Sequence, residues 1–219
     1  MATNMAQKRA KKAQRRKQVV AEKRAVEALD AGLAGQVRRA AGAPIQHCLL
    51  SKPLFDDGMG TLLLARGLTP YDVALGTFLL DPYCLGIKDV MFRVVDEDEF
   101  EMHVETMGAA SPFISVEPSY ARKLLRDLAA WARSIGFLPH RDFAVVEQLF
   151  GDVSADACNE VFRFGRDGKP AYMPGPSESP SLIRSRMERL RKALGDDGFT
   201  LAISDVDEVE DIEDDAPSR

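Results

Sequence analysis

The stretch Phe78–Asp89, FLLDPYCLGIKD, gathers carboxylates, a thiol and an ammonium at the end of an apolar run: Asp81, Cys84, Lys88 and Asp89. Residues of these types could carry nucleophilic or acid–base chemistry. A catalytic cysteine needs a thiolate, which a neighbouring cation such as Lys88 favours. Asp81 or Asp89 could then serve as a base or a metal ligand. The same residues also fit the end of a strand. Asp81-Pro82 is turn chemistry, Cys84 and Leu85 suit burial, and Gly86 supplies special backbone geometry before the next strand. The second reading asks less of the sequence, because no histidine stands near Cys84. No catalytic residue is therefore assigned, and the four remain candidates.

A second group precedes a helix. In GPSESPS, Ser177, Ser179 and Ser181 surround the free N–H groups of a helix start, a natural place for an anion. Arg163 and Lys169, with Arg166, lie on the segment before it and could face it. An ordinary capped helix after a Pro/Gly loop explains the same residues.

The third group is electrostatic. Lys8, Arg9, Lys11, Lys12, Arg15, Arg16 and Lys17 put seven cations into ten residues. Such a segment neutralises phosphates and releases counterions, giving salt-sensitive binding without sequence preference. No aromatic residue interleaves, so base stacking is not expected there. Solvation, or docking onto the acidic C-terminal end, accounts for the same charges. A membrane surface fits poorly, because no large apolar side chain stands between Met5 and Val19.

Other signatures are missing. CxxC, HExxH, GxGxxG and GxxxxGK[ST] do not occur. His47, Cys48, Cys84, His140 and Cys158 lack the two-to-four-residue ligand spacing of zinc sites. No metal and no cofactor is expected. Three widely spaced cysteines give no disulfide framework, which together with the absence of a secretory signal points to a reducing, cytoplasmic setting. The early lysines and arginines suit a mitochondrial-type presequence, but serine is absent from the first fifty residues. No run approaches the roughly 18 apolar residues of a membrane span.

These groups need a scaffold. Of the 219 residues, 45% are hydrophobic, enough for a real core. The net charge of −5 hides polarised ends. Residues 1–40 hold eleven Lys/Arg against three acids, a net of +8, and residues 205–219 hold eight acids against Arg219, a net of −7. The expected organisation is a basic, conditionally helical arm over 1–42, one domain over 43–203 and an acidic disordered tail over 204–219. Val19, Val20, Val26, Leu29 and Leu33 could dock the second half of the arm on the domain.

Strands are expected at Ile45–Leu50, in TLLLARGL and YDVALGTFLL joined near Thr69-Pro70, and in IKDVMFRVV. FDDGMG reads as a turn. The apolar runs alternate poorly, which suits strands covered on both faces. A short helix should follow Asp96 as N-cap, with Phe100, Val104 and Met107 inward. The clearest helix runs from Pro118 to Ile135, followed by a short one ending at Gly151 and a turn in SADACNEV. VFRFGRDGKPAYM reads as a hairpin turning at Arg166-Asp167-Gly168. Ser179 should cap a last helix over Pro180–Leu194, and FTLAIS should close as a strand. Strands early and helices late make the fold α+β: a small meander sheet packed by later helices.

The segments GTFLLDPYCLGIKDV, GFLPHRDF and FRFGRDGKPAYMPGPSESP look similar to parts of an uncharacterised bacterial family whose members also carry a basic N-terminal arm. The resemblance covers most of residues 43–194. It implies one domain there and transfers no catalytic residue. The sequence thus favours a non-catalytic accessory protein associated with nucleic acid or the ribosome through its basic arm. One alternative is an enzyme on a phosphorylated or nucleic-acid substrate, sited near Asp81–Asp89. The other is an adaptor that meets a protein partner through its oppositely charged ends, the acidic tail included. The sequence assigns no oligomeric state.

Overall fold

A computed structural model describes residues 32–201. The arm cations at 8–17 and the acidic end at 205–219 lie outside the described residues. The fold is α+β, built on a five-stranded antiparallel sheet in the order β4-β3-β2-β1-β5. Helix α1 (Leu33–Ala40) leads into β1 (Ile45–Ser51), the four-residue helix α2 (Leu54–Asp57), β2 (Gly60–Gly67), β3 (Asp72–Asp81) and β4 (Gly86–Asp96). Helix α3 (Glu97–Ala110) returns the chain to β5 (Phe113–Ser115), which pairs with β1. The long helix α4 (Pro118–Ser134) and the one-turn α5 (Phe143–Val146) follow. The chain continues through two 3₁₀ turns, Glu147–Phe150 and Ala155–Ala157, to β6 (Ala171–Tyr172), α6 (Pro180–Leu194) and β7 (Thr200–Leu201).

The weak alternation in the strands has a direct cause. On β2, Leu62 and Leu64 join the core beneath α4, whereas Leu63 and Ala65 join a separate cluster with Val73, Leu75, Val95 and Phe100 beneath α3. Both faces of the central strands are covered, so both parities must be apolar. Helix α4 meets the first face through Ala121, Leu124, Leu125 and Leu128. That face also carries α1, through Val37 and Ala40, so the last quarter of the segment read as an arm is part of the folded core. A third cluster, Cys84, Leu85, Ala132, Phe137, Tyr172 and Leu190, fixes α6 beside the end of the sheet.

Local chemistry sets the boundaries. Asp96 accepts from the Glu99 amide at 2.7 Å and Ser179 from Leu182 at 3.3 Å, each supplying a helix N-cap. Between β3 and β4, Asp81 Oδ1 accepts from the amides of Tyr83 (3.1 Å) and Cys84 (2.8 Å), an Asx turn that reverses the chain. Gly86 then sits at φ 73°, where a Cβ would lie 2.5 Å from that of Ala132 on α4. Its missing side chain lets helix and strand approach.

Two charged side chains work inside the fold. Arg66, 4% exposed, donates through Nε to Leu149 O (2.6 Å), through Nη2 to Phe150 O (2.8 Å) and through Nη1 to Ala43 O. It thereby satisfies carbonyls where a 3₁₀ turn and α1 run out. Glu147 accepts from Arg122 and Arg126, each at 2.7 Å, while Arg122 also donates to Gly151 O (3.0 Å) and Val153 O (2.5 Å).

Two local expectations are corrected. The FDDGMG turn includes most of α2, which Gly58 ends in the left-handed region at φ 70°. The hairpin expected over Val161–Met173 is only a tight turn: Arg166 and Lys169 form an isolated bridge around Asp167 (φ 53°) and Gly168 (φ 81°). Its flanks bond elsewhere, Gly165 N to Pro82 O and Ala171 N to Tyr83 O. Phe162 and Phe164 pack on Tyr120 and Trp131 of α4 instead of across a ladder. Within the described residues the expected closing strand is seen as Thr200–Leu201, which runs parallel to β6, and positions 202–204 lie outside the described residues.

Candidate functional site

Asp81, Cys84, Lys88 and Asp89 are neighbours in sequence but serve different places. The Asp81 carboxylate faces its own turn and is 2% exposed. Burial raises it to about 6, against the opposing pull of the Cys84 amide and the Lys88 charge. Cys84 is fully buried in the cluster beneath α6. Burial, then the Asp81 charge, pushes its thiol upward, away from the thiolate a nucleophile needs. Asp89 is exposed on β4, its Oδ1 accepting from the Val90 amide at 2.8 Å. Of the four, Lys88 lines the cleft beside α6.

That cleft, about 290 Å³, lies between the start of β4, the loop after α4 and the exposed side of α6. Its polar wall is Lys88, His140, Ser185, Arg186 and Arg189; its apolar wall includes Ile87, Phe137 and Leu182. Each element places its residue for a local reason. Lys88 is the extra residue of a β-bulge, between Ile87 opposite Leu80 and Asp89 opposite Leu79, which breaks the alternation and lets Ile87 and Lys88 both line the cleft. Leu182, Ser185, Arg186 and Arg189 fall at three- and four-residue steps along α6. His140 is fixed by its own amide, which donates to Ile87 O at 3.0 Å.

The charges in the wall are unequally engaged. Glu178, in the loop before α6, pairs with Arg186, lies 3.9 Å from Lys88 and accepts from Tyr172 Oη. Burial works to raise the Glu178 carboxyl, but the hydrogen bonds from Tyr172 and Arg186 outweigh it and leave it below the usual range. Arg189 lies over the Phe137 ring, 5.6 Å from its centroid, and among the described residues no carboxylate pairs with it. At His140, Nδ1 accepts from the Asp142 amide at 3.4 Å and Nε2 lies 3.6 Å from Asp89 Oδ1. Both ring nitrogens therefore face protein groups.

The anion site expected before α6 has a different composition. Ser179 caps the helix and its hydroxyl lies 3.0 Å from that of Ser181. Lys169 points to Asp197 O (3.4 Å), beyond the opposite end of the helix, and Arg163 is exposed. Glu178, between two of the expected serines, instead brings a carboxylate to Lys88 and Arg186. Sequence reading missed Glu178, Arg186, Arg189 and His140. A signal existed for the arginines: Arg186 and Arg189 repeat at a helical step on the flank of the apolar stripe of α6. Nothing local links Glu178 to Lys88.

Among the described residues, no three His, Cys, Asp or Glu side chains come together to hold a metal, and no helix is long and apolar enough to cross a membrane. No family model, curated protein or solved structure matches the chain. The assignment of function therefore rests on the cleft itself: a cation-lined pocket with one apolar wall, whose only imidazole is held by its neighbours.

Proposed function

We propose that this is a non-catalytic nucleic-acid-binding accessory protein whose folded domain takes a phosphate in the cleft between β4 and α6. The observation that carries this reading is the convergence of Lys88, Arg186 and Arg189 on one cleft in a chain whose net charge is −5. An acidic protein that clusters cations on a concave surface has an electrostatic preference for anions there. Arginine suits phosphate because its planar fork makes paired hydrogen bonds. The apolar wall of Ile87, Phe137 and Leu182 fits the less polar remainder of a nucleotide. The cations at 8–17 would add phosphate contacts of the sequence-independent kind. The burial of Cys84, which pushes its thiol away from the thiolate, supports binding over turnover.

The test is binding of a fluorescent single-stranded RNA, followed by anisotropy across a salt series. Arg189 is the residue to change, because its guanidinium lies over the Phe137 ring and, among the described residues, pairs with no carboxylate. Arg189→Ala should weaken binding and reduce the slope of log K against log salt by about 0.7, one phosphate contact on a single strand. Arg189→Glu should weaken it further. Deleting residues 1–18 should lower the slope by several contacts more. Unchanged affinity and slope in Arg189→Glu would overturn the cleft as the phosphate site. Turnover of a phosphorylated substrate that Arg189→Glu abolishes would replace this reading with the enzymatic one.

A further inference from the structure

We infer that the far face of the sheet is a docking surface for the protein's own basic segment, residues 8–20. A groove of about 370 Å³ runs between α3 and β1, on the side of the sheet away from the phosphate cleft. His47, Phe100 and Val104 lie along its floor, with the His47 and Phe100 rings stacked at 5.0 Å. Glu97, Glu101 and Glu105 form its rim, and among the described residues no cation pairs with any of the three. The four-residue interval places these carboxylates on one side of α3, about 6 Å apart along the axis. An apolar floor beside an unpaired acidic rim selects an occupant with cations next to aliphatic side chains.

Outside the described residues, segment 8–20 has this pattern with the highest density of cations. Lys8, Lys12 and Arg16 repeat at the same four-residue interval as the rim carboxylates, and Val19-Val20 follow them directly. The other end of the chain is excluded by charge: residues 205–219 carry a net of −7, eight acids against Arg219. Reach is sufficient. Gly32 precedes α1, whose eight residues span about 12 Å. The seven residues from Ala41 to His47 add at most about 24 Å. The arm therefore leaves the fold no more than about 36 Å from the groove, and the twelve residues from Val20 to Gly32 extend to about 41 Å. The attraction joins exposed carboxylates to exposed cations, so it weakens as salt rises.

Carbodiimide cross-linking of the full-length protein, mapped by mass spectrometry, tests the docking without any nucleic acid. At low salt, Lys8, Lys11, Lys12 or Lys17 should link to Glu97, Glu101 or Glu105. These links should be lost at high salt, and Val19→Ser/Val20→Ser should reduce them at low salt. Mixing isotopically light and heavy chains separates the sources: light–light and heavy–heavy links support docking within one chain, whereas mixed pairs overturn it in favour of a second copy. Links from the arm only to residues 205–219, or none to α3, would overturn the proposal. Because no ligand is present, failure here leaves the phosphate cleft standing, and failure of the Arg189 experiment leaves the groove standing.

Discussion

Replacing Asp81 by asparagine isolates one term in the pH dependence of stability. Asp81 is 2% exposed, and its carboxyl is raised from 3.8 to about 6 by burial. The folded state therefore binds a proton more tightly than the unfolded chain. Between the two values the native protein holds more protons, so stability falls as the pH rises. The displacement corresponds to about 3 kcal/mol, fully present below pH 3.8 and lost once the pH has risen through about 6. Asparagine keeps an oxygen for the Tyr83 and Cys84 amides but does not titrate. Any mismatch between its amide and the turn is a constant offset. The measurement is urea denaturation of both proteins at intervals from pH 4 to 7. The stability of Asp81→Asn relative to wild type should climb by about 2 kcal/mol across that window. Parallel curves would show that the carboxylate ionises normally and that the turn's hydrogen bonds and Lys88 offset its burial.

Glu147 titrates in the opposite sense. Burial works to raise it, but the hydrogen bonds from Arg122 and Arg126 win and hold it below 4.5. Its stabilisation is thus complete above pH 4.5 and is lost as the pH falls through the lowered value. Glu147→Gln should cost about 3 kcal/mol at neutral pH by leaving Arg122 without its counter-charge, read from the same denaturation curves. Gly86→Ala should cost about 2–5 kcal/mol by denaturant titration, because the backbone is left-handed and the new methyl meets Ala132. Adding Ala132→Gly should recover the steric part but not the conformational part. Of the three thiols, Cys158 should react with a disulfide reagent in the native protein. Cys48, raised to about 12 by burial and then by Glu117, and Cys84 should wait for unfolding.

What the sequence revealed was whatever local chemistry decides. Helices α4 and α6 announced themselves through Pro118, Ser179, Pro180 and a single apolar stripe each. The four-strand meander was legible because consecutive strands pair through short connections. The hairpin around Asp167-Gly168 was misread because its turn chemistry is genuine, while Phe162 and Phe164 gain more by packing on α4 than across a two-stranded ribbon. The cleft was hidden for a related reason. Lys88, His140 and Arg189 come from three parts of the chain more than 40 residues apart, and the docking of α6 through Leu190 against Tyr172 brings Arg189 to the other two.

The Arg66 clamp also has a bearing on the order of folding events. Its partners lie 23 residues away at Ala43 and 83 and 84 residues away at Leu149 and Phe150. The strands of the meander, by contrast, close against their nearest neighbours. Long loops cost more entropy to close, so contacts of high sequence separation tend to be completed after local pairings. The guanidinium would then lock in place after the rate-limiting barrier has been crossed. In chevron kinetics, Arg66→Met should accelerate the unfolding limb and leave the refolding limb nearly unchanged, a φ-value close to zero. Arg66 is in that sense a bolt on the finished molecule: it slows opening while contributing little to the speed of assembly.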